Sequence, residues 1–429
     1  MFKLNRVIYS ILPLLAVVTY PGYVDHASAF TEGFTPLSRR SQTGFIPISK
    51  ASESFYWLFY ADHDSSTKPI LVWLQGQIGV TSLFGALLEF TPEWTENFNL
   101  LFLDAPLGVG LSHTSLESDL ASSSEEVASQ VMTFLEKFVH RHHEQFPLPR
   151  FIIAGEDYAG HTIPLIVNLA QQTWREKPFE IIGMAVGNGH THAPIQVITK
   201  AESAMIFGLV DGEKCTSAAR SHAWRASVLS VIGDTLGSLD ERNELEKTIL
   251  NCSQNINMGE IFQKTPQDNI SDPRFEKVQS WLNNSQHLHA INVPLRKCLV
   301  KNSTVFEKLK SDIMRVIWGH IPPILDADNI TTLWYQGQLD WIDGVYSNEA
   351  WLNALEWSGS SQYSQAERQQ WEGGYIRSYG PLNEAMVLGA GHLALIDKPR
   401  QVLELYKRVF LDKQRIGQAS LPEQTTLVF

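Results

Sequence analysis

An apolar run, Phe151-Ile-Ile-Ala154, passes into Gly155-Glu156-Asp157-Tyr158-Ala159-Gly160 and then directly into a helical pattern with Ile163, Ile166, Val167 and Ala170 on one face. Glycines at both ends of this short turn let the backbone reverse sharply and let strand and helix approach closely. A strand apolar at every position is one buried on both faces, as in a parallel sheet. The junction therefore lifts one side chain, that of Asp157, above the carboxyl edge of such a sheet. A chain containing it must supply further parallel strands on either side.

Short apolar runs of the required type occur at Ile70 to Leu74, Leu100 to Leu103, Ile181 to Val186 and Thr332 to Tyr335, with another at Ala385 to Leu388. Phe45 to Ile48 and Phe55 to Ala61 read as an opening hairpin. Helical patterns separate the later runs. One starts at a Ser122-x-x-Glu125 capping box and aligns Val127, Val131, Phe134, Leu135 and Phe138. Others fall near Ser347 to Trp357 and at Val402, Leu405, Val409 and Phe410. This alternation predicts an α/β fold, a mostly parallel central sheet with helices on both faces. It breaks over residues 200–315, which read as an inserted helical cap between core segments 30–199 and 316–429.

The first residues carry an address. Lys3 and Arg6 precede an apolar stretch of about twelve residues, too short to span a bilayer, and Ala27-Ser-Ala29 offers a small-residue cleavage site, so 1–29 is expected to be a signal peptide. Secretory routing agrees with five sequons at Asn251, Asn269, Asn283, Asn302 and Asn329. It also fits three cysteines, Cys215, Cys252 and Cys298, which allow one disulfide in any of three pairings. With 34 Lys and Arg against 46 Asp and Glu, the net charge is −12, with no basic block. Nucleic acid and anionic membrane surfaces are therefore unfavourable partners. The sequence offers no zinc spacing or metal-ligand cluster, and no cofactor is expected.

Two further pieces follow the 151–160 junction in order: Gln336-Gly-Gln-Leu-Asp340 and Gly389-Ala-Gly-His392, each after a strand. Nucleophile, acid and histidine occur in this order in the α/β-hydrolase fold, where the first sits on a strained strand-to-helix turn. The chain resembles the serine carboxypeptidase family, and within it the vitellogenic-like carboxypeptidases of animals. The resemblance rests on Trp73-Leu-Gln-Gly-Gln-Ile-Gly-Val-Thr-Ser82, Asp104-Ala-Pro-Leu-Gly-Val-Gly-Leu-Ser112, the Gly155 to Gly160 turn, Ile181 to Gly189, Gly374-Tyr-Ile-Arg377 and Gly391-His392. It covers nearly the whole chain after residue 29.

The resemblance implies a triad at Asp157, Asp340 and His392, with Asp157 where the family carries its serine. It implies oxyanion donors at the backbone of Gln77, where the family has glycine, and of Tyr158. It implies a pocket for a substrate's terminal carboxylate at Gln75 and Glu156. The Gln77 side chain is expected to intrude on the oxyanion site, and Asp157 is expected to form an ion pair with His392. The expectation is a secreted or lysosomal homologue that has lost turnover and binds peptides or proteins with free C-termini; a homodimer is allowed. The alternatives are residual exopeptidase activity, for which Ser82 and Ser112 lie in the family segments, and a hydrolase using Asp157 as nucleophile in the manner of dehalogenases and epoxide hydrolases.

Overall fold

The computed structural model describes residues 40–173, 178–262, 273–294 and 298–412. The expected signal peptide at 1–29 and the Asn269 sequon lie outside them. The strands are β1 (Ser41–Pro47), β2 (Ser52–Phe59), β3 (Ile70–Leu74), β4 (Asn99–Leu103), β5 (His113–Thr114), β6 (Arg150–Glu156), β7 (Glu180–Gly187), β8 (Thr331–Gly337), β9 (Gln369–Trp371), β10 (Gly374–Tyr379) and β11 (Leu382–Val387).

They form one sheet in the order β1-β2-β4-β3-β6-β7-β8-β11-β10-β9, with β5 beside β2. The central pairs β4-β3, β3-β6, β6-β7, β7-β8 and β8-β11 are parallel, and the pairs at both ends are antiparallel. Every residue of β3 and β4 is buried, as a strand covered on both faces requires. β6 runs between β3 and β7, so its carboxyl end opens among the loops after its neighbours. That is where an open α/β sheet forms its crevice.

Two local expectations shift. The helix Ser124–Arg141 is capped by Ser123, whose side chain accepts from the Glu126 N–H, and the Glu126 carboxylate accepts from the Ser122 N–H at 2.7 Å. The box is thus displaced by one residue from Ser122-x-x-Glu125, because three successive serines make the register ambiguous. The strands β9 and β10 were not expected. Gln369-Gln-Trp at the sheet edge exposes both glutamines, and its neighbour Gly374-Tyr-Ile-Arg-Ser-Tyr exposes Tyr375 and Tyr379 while burying Arg377; neither carries an apolar run.

Residues 188–330, between β7 and β8, hold the helices Ala193–Ile206, Gly212–Val231, Thr235–Cys252, Pro273–Leu282, Ser285–Ala290 and Ser303–Leu309, with a short turn of helix before β8. The first of them crosses residue 200, so the expected boundary falls inside a helix. Of the three cysteine pairings, the structure contains Cys215–Cys252, which joins the second and third helices and leaves Cys298 buried as a thiol. Among the described residues, no helix is long and apolar enough to cross a membrane.

Candidate functional site

Asp157 stands at the end of β6 with φ of +50°, in the left-handed region that non-glycine residues seldom adopt. The conformation is held from both sides. Its N–H donates to Gly187 O (3.1 Å), and its carbonyl accepts from the N–H groups of Gly160 (2.9 Å) and His190 (2.8 Å). The loop after β3 passes so close that a Cβ on Gly76 would lie 1.5 Å from Glu156 O and 2.8 Å from Asp157 Cβ. Only glycine fits there. The Asp157 side chain is partly exposed.

Asp340 follows β8 and is fully buried. Its carboxylate receives Asn188 Nδ2 (2.8 Å), the N–H groups of Ile342 (2.8 Å) and Asp343 (3.2 Å), and His392 Nδ1 (3.0 Å). Asn188, with φ of +45°, was not foreseen as a site residue; the sequence signal is Asn-Gly directly after an apolar strand, a pair that favours such a turn. His392 follows β11, and its N–H donates to Gly259 O at 2.7 Å. Burial opposes its charge, but Asp340, through charge and hydrogen bond, then Asp157 and Asp343, push the imidazole up to about 9.

The expected contact between Asp157 and His392 is not formed. Among the described residues, no hydrogen bond or ion pair within 4 Å engages the Asp157 carboxylate. It acts on His392 through space only, because the left-handed backbone and the Asp340 bond fix the two side chains independently.

Gln75 and Glu156 do meet. Gln75 Nε2 donates to Glu156 Oε1 at 2.6 Å and to Glu89 Oε1 at 3.0 Å, while Trp73 Nε1 donates to Gln75 Oε1 at 3.1 Å. All four side chains are buried. Burial, then the neighbouring Glu89, then Asp157 raise Glu156 well above the ordinary carboxyl range. Burial likewise lifts Glu89 to about 7, against hydrogen bonds that lower it. The two carboxyls therefore hold protons at pH values where exposed ones are ionised. Sequence reasoning missed Glu89; its signal was an acid closing the otherwise apolar run Leu83-Phe-Gly-Ala-Leu-Leu88.

Gln75, Gly76, Gln77 and Tyr158 line one small cavity. Gln77 is exposed and stands at the rim of this cavity. The backbone carries it without a positive φ, which in this loop falls at Gly79. Neither the Gln77 nor the Tyr158 N–H donates a hydrogen bond to any described residue, so both donors remain available. The Tyr158 hydroxyl is fixed, donating to Asp312 Oδ2 at 2.5 Å beside Ser124 Oγ (2.6 Å).

Ser82 and Ser112 are both occupied in structure. Ser82 Oγ donates to Leu103 O and accepts from Gln75 N–H, and Ser112 Oγ donates to Asp104 O and accepts from Phe55 N–H. Of the sequon asparagines, Asn251, Asn283 and Asn329 are exposed, and Asn302 is half-buried. No group of three His, Cys, Asp or Glu side chains among the described residues is placed to hold a metal.

A central parallel sheet, a strained residue at the end of its middle strand, and an Asp340-His392 pair on two following strand ends define an α/β-hydrolase fold. A family model described as serine carboxypeptidase matches residues 32–412, and the chain belongs to that family. The chain is similar to the venom serine carboxypeptidase of Apis mellifera, at 28% identity over 408 residues, covering 86% of this chain and 84% of the relative. The human probable serine carboxypeptidase CPVL is 26% identical over 419 residues, covering 89% and 85% respectively. Among solved structures, a prohormone-processing carboxypeptidase of Saccharomyces cerevisiae superposes with a TM-score of 0.73 at 19% identity, over 87% of this chain and 92% of that one.

Proposed function

We propose that this chain is a secreted or lysosomal serine carboxypeptidase homologue without peptidase turnover, in which the pocket for a C-terminal carboxylate outlives the chemistry. Asp157 takes the place of the attacking serine, with Asp340 and His392 as the remaining triad members and the N–H groups of Gln77 and Tyr158 as oxyanion donors. The observation that carries the reading is the buried set Gln75, Glu156 and Glu89, bonded at 2.6 and 3.0 Å beside a turn with no serine and with the Tyr158 hydroxyl committed to Asp312. A carboxyl group facing a ligand carboxylate must be protonated to donate, and this set favours the protonated form.

Use of Asp157 as a nucleophile requires a neutral imidazole to activate water in the second step, and the surroundings of His392 favour its cation. The apolar leader, the sequons and the venom relative support export from the cytosol. Calorimetry with matched peptides ending in a free carboxylate or an amide tests the proposal. Amidation should weaken binding by about 1.5 to 3 kcal/mol, the range for hydrogen bonds to a charged group, and Glu156→Ala should erase the difference. Equal affinity for acid and amide would reject it, as would removal of C-terminal residues at the rate of a working carboxypeptidase.

A further inference from the structure

Asp157 and Glu156 are consecutive residues of one turn, and Gly76 packs against both. Glu156 is buried and bonded to Gln75; the Asp157 carboxylate is partly exposed and accepts no hydrogen bond from the described residues. Asp340 lies 3.0 Å from His392 and already compensates that imidazole's charge. The charge of Asp157 is thus left without a contact partner beside the buried Gln75–Glu156 pair, with His392 and Arg242 acting on it only at longer range.

The atom that a C-terminal residue presents next to its carboxylate-bearing carbon is its nitrogen. In a peptide this nitrogen is a neutral amide joined to a carbonyl carbon, whose oxygen is a partial negative charge. A serine hydroxyl at the turn tolerates and attacks that carbonyl; a carboxylate at the same place faces it with like charge. Removal of the acyl group turns the nitrogen into an ammonium, and the same carboxylate then becomes a charge-assisted hydrogen-bond acceptor. A ligand carrying both charges adds no net charge beside the Asp157 carboxylate, whereas a blocked amino acid adds a second negative one.

We infer that the pocket selects a free α-amino acid over a longer peptide, with the ligand's carboxylate on Gln75 and Glu156 and its α-ammonium on Asp157. The inference rests on the carboxylate pocket proposed above and names its ligand class. No covalent step is involved. The serine-to-aspartate change thereby converts a site that would release an amino acid into one that retains it.

Calorimetry on the full chain at pH 6 with the twenty amino acids, their N-acetyl derivatives and their amides tests this. The expected result is at least one free amino acid binding about tenfold or more tighter than both its N-acetyl and its amide form. Asp157→Asn should remove the advantage over the N-acetyl form while keeping the advantage over the amide. Asp157→Ser should do the same and guards against misfolding of the first variant, and the wild-type ligand comparison stands without either. N-acetyl amino acids binding as tightly as free ones would overturn the inference and leave the carboxylate pocket intact. Amides binding as tightly as free acids, or no binding by any of the three series, would overturn both.

Discussion

His392 Nδ1 lies 3.0 Å from Asp340 Oδ2, while no contact within 4 Å links His392 to Asp157. One bonded carboxylate and two at longer range, Asp157 and Asp343, outweigh the cost of burial and hold the imidazole as a cation up to about pH 9. The folded state keeps a proton that the unfolded chain gives up near 6.5. The resulting stability is present in full below 6.5 and is lost as pH rises through about 9. An NMR titration of ring-labelled protein should find His392 charged at pH 7 and titrating near 9. A neutral ring at pH 7 would contradict the arrangement and return Asp157 to consideration as a nucleophile.

Asp157→Ser should by itself restore measurable hydrolysis of blocked dipeptides and esters. The reason is that the N–H groups of Gln77 and Tyr158 donate to no described residue beside the cavity that both line. Losing a nucleophilic serine costs roughly 10^6 in kcat in a related triad enzyme, with residual rate supplied by the oxyanion donors. A gain of about 10^3-fold over wild type is expected, and the loss of the Asp157 charge favours it by easing His392 toward the neutral form that a general base needs. A variant as inactive as wild type, with unchanged thermal stability, would show that the Gln77 loop has lost its donor after all.

Glu89→Gln should flatten the pH dependence of stability between about pH 4.5 and 7. Burial raises Glu89 to about 7 from the ordinary 4.5, so the folded state binds a proton over a range in which the unfolded chain has released it. Stability associated with this group is therefore greatest below 4.5 and falls as pH rises through about 7, by about 3 kcal/mol in total. Urea denaturation at pH 5 and pH 8 should show a smaller difference in the variant than in wild type. An equal difference would mean that Glu89 is ionised at pH 5 like an exposed acid.

The parallel core was legible because its strands are continuous apolar runs, a pattern that depends on the strand itself and not on its neighbours. The strands β9 and β10 were not, since their short mixed sequences, with Gln369, Gln370, Arg377 and Ser378, carry no apolar run and read like loops. In the site, Asp157, Asp340 and His392 could be ordered along the chain because each follows a strand. Their mutual distances could not be read, which is why an ion pair was expected where the structure has a gap. Gln77 illustrates the same limit: its identity suggested obstruction where glycine is usual, and only the structure shows that the positive φ of this loop falls at Gly79 instead. Glu89 was hidden for another reason, since an acid at the end of an apolar helix becomes informative only when its burial beside Glu156 is known.

Sugar should be attached at Asn251 and Asn329 and be absent or sparse at Asn302. Transfer replaces one of the two Nδ2 hydrogens with a sugar, so a modified asparagine needs room for that sugar around an Nδ2 that keeps a single N–H to donate. Asn302 uses it, donating to Gly108 O at 2.8 Å while its Oδ1 caps the helix Ser303–Leu309 by accepting from the Thr304 N–H at 2.9 Å. Asn283 is similarly committed, donating to Gln279 O at 2.8 Å and accepting from the Cys298 N–H at 3.2 Å. By contrast Asn251 is exposed with no side-chain bond to a described residue, and Asn329 accepts from Gln171 Nε2 at 3.0 Å with its own Nδ2 open. Loss of the Asn302 cap costs about 1 kcal/mol, and loss of the Gly108 contact would loosen the Asp104 to Ser112 loop. Chains sugared at Asn302 should accordingly fold less well and be under-represented in secreted material. Peptide mapping after enzymatic deglycosylation in heavy-oxygen water reads occupancy site by site. Full occupancy at Asn302 in stable secreted protein would show that its carboxamide is not required where the structure places it.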